Sequence, residues 1–154
     1  MKFSAREDID GSIEDVFRFL TDFEAFERQA IRRNVDVQRT DSLRQPGVGM
    51  AWHTQFRLRG RVRQLDITLG ALEPPNSMVF HGRSKGLHTV FSVDLIALSA
   101  SRTRMTLTLD LSPKTLPARL MVQSLKLTRK TITTRFKTRL YDFARTMESQ
   151  LRSA

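Results

Sequence analysis

At 154 residues, 40% of them hydrophobic and 27% charged, the chain is long enough to bury one core and too short for two comfortable ones, so one domain over residues 1–154 is expected. The absence of cysteine excludes disulfides, thiolate metal sites and a cysteine nucleophile. The net charge of +10 is unevenly placed: Pro113–Ala154 carries ten Lys and Arg against Asp142 and Glu148, while the rest carries sixteen against fourteen acids.

Met1–Asp8 has no apolar run, and no later stretch approaches the length that crosses a bilayer, so a cytoplasmic protein is expected. Lys2–Ile9 alternates loosely and reads as a strand. Ser12 then caps a short helix with Glu14 and Asp15 in its first turn, and its apolar face is Ile13, Val16, Phe17 and Leu20. Thr21-Asp22 starts a second short helix bearing Phe23 and Phe26. Arg33–Thr40 alternates again, as a second strand, and Gln45–Gly49 is a turn that lacks the spacing of a phosphate-binding loop.

Met50–Leu69 carries the clearest β pattern. With Arg59-Gly60 at a hairpin tip, Trp52 faces Ile67, Thr54 faces Leu65, Phe56 faces Arg63 and Leu58 faces Arg61. His53–Asp66, Gln55–Gln64 and Ala51–Thr68 fall on the other side. One face is apolar and the other polar, as in a half-buried antiparallel pair. Pro74–Ser77 turns the chain. Met78–Gly82 and Leu87–Leu98 pair around Arg83–Gly86, which places Met78 near Phe91, Phe80 near Thr89 and His81 opposite His88. Thr103–Leu111 alternates with Met105, Leu107, Leu109 and Leu111 inward, and matching it to Phe91, Val93 and Leu95 requires a bulge or an odd loop near Ser99–Arg102.

The last third reads as one long amphipathic helix from Pro113 to Ala154. Leu125, Ile132, Phe136, Leu140, Phe143, Met147 and Leu151 share a face at 3.6-residue spacing, and Leu116, Met121 and Val122 extend it backwards. Such a stripe needs a partner, and a curved antiparallel sheet of about seven strands supplies it. The fold class is α+β.

This element order resembles the START-like superfamily, also called SRPBCC or the Bet v 1-like helix-grip fold, and within it the polyketide cyclase/dehydrase and lipid-transfer-type proteins of bacteria. The resemblance covers nearly the whole chain. It rests on Ile13–Phe17 followed by Leu20-Thr21-Asp22, on Pro46-Gly47-Val48-Gly49 before a strand and on Leu72-Glu73-Pro74-Pro75 before the next. These are structural punctuation and not a catalytic signature. The resemblance implies a cavity between sheet and C-terminal helix, in a fold that hosts carriers, cyclases and binding modules alike.

By register the inner face of the sheet holds Trp52, Thr54 and Phe56, then Arg63, Leu65 and Ile67, then Met78, Phe80 and Phe91, with Met105 and Leu107 on the last strand. From the helix, Leu125, Arg129, Ile132 and Phe136 face them. On composition these residues fill an ordinary core; the resemblance implies instead that they line a ligand pocket. Trp52, Phe56, Phe80, Phe91, Ile132 and Phe136 are expected around one continuous space. The inward polar groups are Thr54, Arg61, Arg63, Thr89 and Arg129, with no carboxylate or histidine among them. That set favours binding or transport of a hydrophobic or amphipathic small molecule (a lipid, quinone or polyketide-like compound) over a polyketide cyclase/dehydratase-like enzyme, which needs an acid or base. The third alternative is an interaction module with no small ligand. The three histidines sit in no metal-binding pattern and there is no GxSxG elbow, so no metal, cofactor or catalytic residue is expected. Nothing in the sequence sets an oligomeric state.

Arg119, Lys126, Lys130 and Lys137 line one side of the helix. A solvated face is the usual meaning of such a ridge, and contact with an anionic membrane surface is the functional alternative. Nucleic acid is disfavoured because no stacking aromatics interleave with these cations. Arg129 falls about 40° from Leu125 on the helical wheel, inside the apolar stripe. It needs an irregular helix near Thr128 that lets it reach the cavity mouth, a carboxylate partner, or an acidic ligand group; the cavity mouth is the expected place.

Overall fold

The two tight hairpins fix the sheet. In the computed structural model, which describes residues 1–153, Arg59 and Gly60 have φ of 52° and 76°. Two successive positive φ values make the turn whose twist matches its strands. It joins β3 (Ala51–Leu58) to β4 (Arg61–Glu73), with Trp52 on Ile67, Thr54 on Leu65 and Phe56 on Arg63 as the alternation requires. Lys85 and Gly86, at 35° and 77°, repeat the device between β5 (Ser77–Ser84) and β6 (Leu87–Ser99). Pairing therefore begins at Ser84–Leu87, so Met78 meets Val93 and Phe80 meets Phe91. This corrects the expected register by two residues, because the turn takes two residues and not four. An even shift leaves every side chain on its face. His81 now opposes Val90, although its ring still lies 5.7 Å from the diagonal His88 ring.

A bulge between Ala97 and Ser99 brings β6 onto β7 (Arg102–Pro113) with Phe91 opposite Leu109 and Leu95 opposite Met105. With β1 (Lys2–Asp10) and β2 (Asp36–Arg39), the sheet has seven antiparallel strands in the order β1-β7-β6-β5-β4-β3-β2. β2 is shorter than its alternation suggests, since Arg33 caps the preceding helix and Asn34 has φ 64°.

Helix α1 (Ile13–Leu20) is capped by Ser12 and α2 (Phe23–Arg32) by Asp22; each cap side chain accepts a first-turn amide, from Asp15 at 3.1 Å and Ala25 at 3.3 Å. The C-terminal segment is two helices, not one: α3 (Leu116–Leu127) and α4 (Arg129–Ser153) meet at Thr128, whose φ of −112° and ψ of 19° leave the helical region. Ala154, the last residue of the expected helix, lies outside the described residues. No glycine or proline causes the break. Thr128, Thr131, Ile132, Thr133 and Thr134 are β-branched and propagate a helix poorly, and the Thr128 hydroxyl bonds back to Leu125 O at 3.3 Å.

After the break α4 runs alongside β1. Met1 exchanges hydrogen bonds with Leu111 of β7, so odd-numbered residues of β1 bond across the ladder and even-numbered ones point their backbone groups to the open edge. Side chains of α4 satisfy several of those groups: Arg129 Nη2 donates to Lys2 O at 2.8 Å, Arg145 Nη2 to Asp8 O at 2.6 Å, and Asp10 N donates to Glu148 Oε2 at 2.7 Å. The dimensions agree, since the nineteen helical steps from Arg129 to Glu148 span about 28.5 Å and the eight strand steps from Lys2 to Asp10 about 27 Å. An edge strand that would otherwise stand open is closed by a helix.

The packed core lies where the sheet is farthest from its two tight hairpins. Met50 just before β3, Leu69 of β4, Leu95 of β6 and Met105 of β7 are all nearly inaccessible and share one buried core with Ile9, Val16, Ala144 and Met147.

Candidate functional site

The inward rows nearer the hairpin tips are not filled. They surround a cavity of about 600 Å³, within the range of small-molecule sites. Trp52, Thr54 and Phe56 of β3 and Leu65 and Ile67 of β4 form one wall. Met78, Phe80 and Gly82 of β5, Thr89, Phe91 and Val93 of β6, and Leu107 and Leu109 of β7 continue it. The roof is α2, through Phe23, Phe26, Glu27 and Ala30, with Leu20, Val35, Val37 and Phe143 closing its sides. Aromatic rings touch in sequence along the cavity: Phe23 to Trp52 at 5.6 Å, Trp52 to Phe80 at 6.2 Å and Phe80 to Phe91 at 6.3 Å. Glycine at position 82 keeps space open, because a Cβ there would stand 2.3 Å from Thr89 Oγ1 and 3.1 Å from Leu65 Cδ1.

Polar groups on this wall are few. The Thr54 hydroxyl donates to Leu65 O at 2.8 Å and is thereby committed. Glu27 is different: its Oε2 is buried and has no hydrogen-bond partner. A buried acceptor without a partner is costly, and Glu27 is one of the residues that line this largely apolar space. Arg39, whose charge Glu27 favours, is itself held by Asp41 through two hydrogen bonds of 2.6 and 2.7 Å.

That Arg39–Asp41 pair positions Trp52, since the Arg39 guanidinium lies 5.8 Å from the indole ring centre. Asp41 also accepts from Ala51 N at 2.8 Å and Leu43 N at 2.9 Å. Its pKa is held far below the ordinary value of 3.8, foremost by the Arg39 hydrogen bond and then by the Ala51 amide, with burial opposing. A carboxylate depressed in the folded state contributes stability that is complete above the unfolded pKa of about 4 and is lost as the pH falls towards the folded value. Denaturant titrations from about pH 6 to about pH 2.5 should therefore show Asp41→Asn losing less stability on acidification than the parent; equal slopes in both proteins would rule this out.

Of the residues expected around a pocket, Trp52, Thr54, Phe56, Leu65, Ile67, Met78, Phe80, Phe91 and Leu107 are on the cavity wall. Six are not. Met105 belongs to the packed core and is fully buried. Arg63 sits one pair nearer the hairpin tip, with Nε buried and unpartnered. Leu125 precedes the break at Thr128, so its angular relation to Ile132 is lost. Ile132 and Phe136 follow α4 towards β1 and away from the cavity, and Phe136 packs against the core. Arg129 is exposed and stands at the start of β1, bonded to Lys2 O with its guanidinium 5.4 Å from the Phe3 ring centre. The expected irregularity near Thr128 is present, but it delivers Arg129 to a strand edge and not to a cavity mouth.

The expectation of no inward carboxylate is likewise corrected by Glu27. The signal was available: on the helical wheel Phe23, Ala30 and Glu27 lie within about 60° of one another, the same test that singled out Arg129. His53 pairs with Asp66 at 2.6 Å on the outer face, as the register implied. The break at Thr128 also divides the basic ridge. Arg119 and Lys126 stay exposed on α3 and Lys130 opens α4, whereas Lys137 lies beside Ser4, Glu7 and Thr106 in a shallow groove along β1. Among the described residues no three His, Asp or Glu side chains are grouped to hold a metal ion, and no helix is long and apolar enough to cross a membrane.

Comparison with known proteins agrees with this architecture. Among solved structures the chain is similar to the Zhui aromatase/cyclase of Streptomyces sp. R1128 (TM-score 0.68, 14% identity, covering 98% of this chain and 95% of that one). It is similar to TTHA0849 from Thermus thermophilus (0.66, 14%, 97% and 99%) and to a START superfamily protein from Mycobacterium smegmatis (0.58, 12%, 87% and 95%). At such identities the likeness concerns the fold alone. No curated protein sequence matches the chain. The family model described as polyketide cyclase / dehydrase and lipid transport matches residues 1–148, nearly the whole chain, and the chain belongs to this family.

Proposed function

We propose that the protein binds a hydrophobic or amphipathic small molecule in the cavity between α2 and the inner face of β3–β7. The observation that carries this reading is the cavity itself: about 600 Å³ of space walled by aromatic and aliphatic side chains, where a packed core would leave no such volume. Glu27 refines the ligand class. A carboxylate in a largely apolar wall, with the Thr89 hydroxyl as the other uncommitted polar group, suits a molecule that brings a hydroxyl or amine donor on a largely apolar body.

An enzyme is the second reading, and Glu27 is the observation that favours it, because a carboxylate in an apolar site is a fitting general base for cyclisation or dehydration. Binding ranks first because no second ionisable group lines the cavity wall to share proton transfer. Native mass spectrometry of gently purified protein, together with titration of the apolar fluorophore Nile red, tests the binding reading. The parent should retain an apolar adduct or bind the dye with a saturable emission increase. Leu107→Trp, which fills part of the cavity, should weaken dye binding at least about tenfold while circular dichroism is unchanged. A bare mass with no saturable dye binding would reject the proposal.

A further inference from the structure

One pole of the molecule collects cations and exposed apolar side chains that neither the core nor the cavity uses. The antiparallel order places the β3–β4 and β5–β6 tips, the end of β7 and the start of α3 at the same end of the sheet. Arg57, Arg59 and Arg61 are exposed on the first tip, with the half-buried Arg63 just behind them. Arg83 and Lys85 flank the second, and Lys114, Arg119 and Lys126 follow β7. The three segments 56–65, 81–93 and 111–128 contain no Asp or Glu. The neighbouring Asp110 is 3.8 Å from the Met1 amino group.

Leucine and valine stand among these cations in water. Leu58 is 52% exposed and Val62 50% at the first tip; on α3, Leu116 is 68%, Leu120 58% and Leu127 88% exposed. The three α3 leucines are four and seven residues apart and so share one helical face, while Ala118 and Val122 on the other side are buried. β4 and β7 are three strands apart, about 14 Å, so two separate protrusions present the same chemistry.

We propose that this pole docks onto an anionic lipid bilayer, with Leu58, Val62 and the α3 leucines entering the headgroup boundary and the arginines and lysines held by lipid phosphates. Aliphatic side chains flanked by cations are the composition that seats in such an interface. A flat surface of one sign engages both protrusions at once. A nucleic-acid surface would use the cations but gain nothing from exposed leucines, and no stacking aromatic is present at the tips. The docking pole also adjoins the half of the sheet that holds the cavity, Phe56 on the wall being one inward position from Leu58 at the rim.

The chain has no cysteine, so single cysteines can report orientation. Leu58→Cys and Ala100→Cys, the latter at the opposite pole in the β6–β7 turn, are each labelled with the polarity-sensitive dye NBD and mixed at low salt with vesicles of phosphatidylcholine alone or with about one-third phosphatidylglycerol. The label at position 58 should shift to the blue and brighten only with the anionic vesicles, and the label at position 100 should not respond. In unlabelled protein, Arg59→Glu with Arg61→Glu, and separately Leu58→Ser with Leu120→Ser, should each lower the fraction floating with anionic vesicles at least about tenfold, with circular dichroism unchanged. Absence of flotation by the parent at low salt, equal response of both labels, equal binding to neutral vesicles, or retention on heparin without vesicle binding would each overturn the proposal.

Discussion

Glu27→Leu should abolish the cavity's preference for a hydroxylated ligand over its methyl ether. With 1-hydroxypyrene and 1-methoxypyrene as probes, the parent should favour the hydroxyl compound by tenfold or more. One hydrogen bond to a charged acceptor contributes about 1.5–3 kcal/mol. The leucine variant should bind both alike. It should also be somewhat more stable without ligand, by about 1 kcal/mol, because the buried unpartnered Oε2 is gone. Those two shifts in opposite directions separate a ligand anchor from a structural carboxylate: loss of stability with an unchanged probe ratio would mean that Glu27 serves the fold. Glu27→Gln keeps an acceptor but no charge, and its ratio should fall between the other two.

Glu148→Ala should be among the most destabilising single changes on α4, at about 2–4 kcal/mol. Glu148 is 8% exposed, accepts from Asp10 N at 2.7 Å and has Oε1 2.9 Å from Arg145 Nε, near enough for an ion pair but not aligned for a hydrogen bond. Truncation leaves the Asp10 amide without its acceptor and removes the nearest carboxylate to Arg145, whose Glu7 contact is longer, at 3.7 Å. Glu148→Gln retains an acceptor for Asp10 and should cost only about 1 kcal/mol. Denaturation midpoints at constant m-value measure both. Equal losses in the two variants would contradict the view that this side chain acts by closing the β1 edge.

Much of the sheet was legible because alternation and turn chemistry are local. Thr103–Leu111 could face only one way, and Arg59-Gly60 fixed every pair of β3 with β4. Register at Lys85-Gly86 was less legible, since nothing in the composition separates a two-residue turn from a four-residue one. The C-terminal segment misled for a different reason. A wheel drawn through Leu125 and Ile132 assumes an unbroken helix, and the run of threonine after Leu127 breaks it without glycine or proline. The projection across that point puts Arg129, Ile132 and Phe136 on the cavity, whereas Arg129 bonds to β1 and Phe136 packs against the core; only farther along does the stripe reach the cavity, at Phe143. The roof of the site is less legible, because a short helix bearing Phe23 and Phe26 looks the same whether it packs on a core or covers a cavity, and only the wheel puts Glu27 and Ala30 beside Phe23.

The packed core and the open space share one sheet, and that has a consequence for how such a protein changes over time. Met50, Leu69, Leu95 and Met105 are nearly inaccessible and are not among the residues of the cavity wall. Thr89 and Glu27 line the cavity without belonging to the buried core, so substitutions there are the ones least coupled to it, and distant sites tend to act additively. A lineage can exchange one cargo for another by altering Thr89 or Glu27 while its margin above the threshold for folding stays intact, which is a physical reason for one scaffold to serve many ligands.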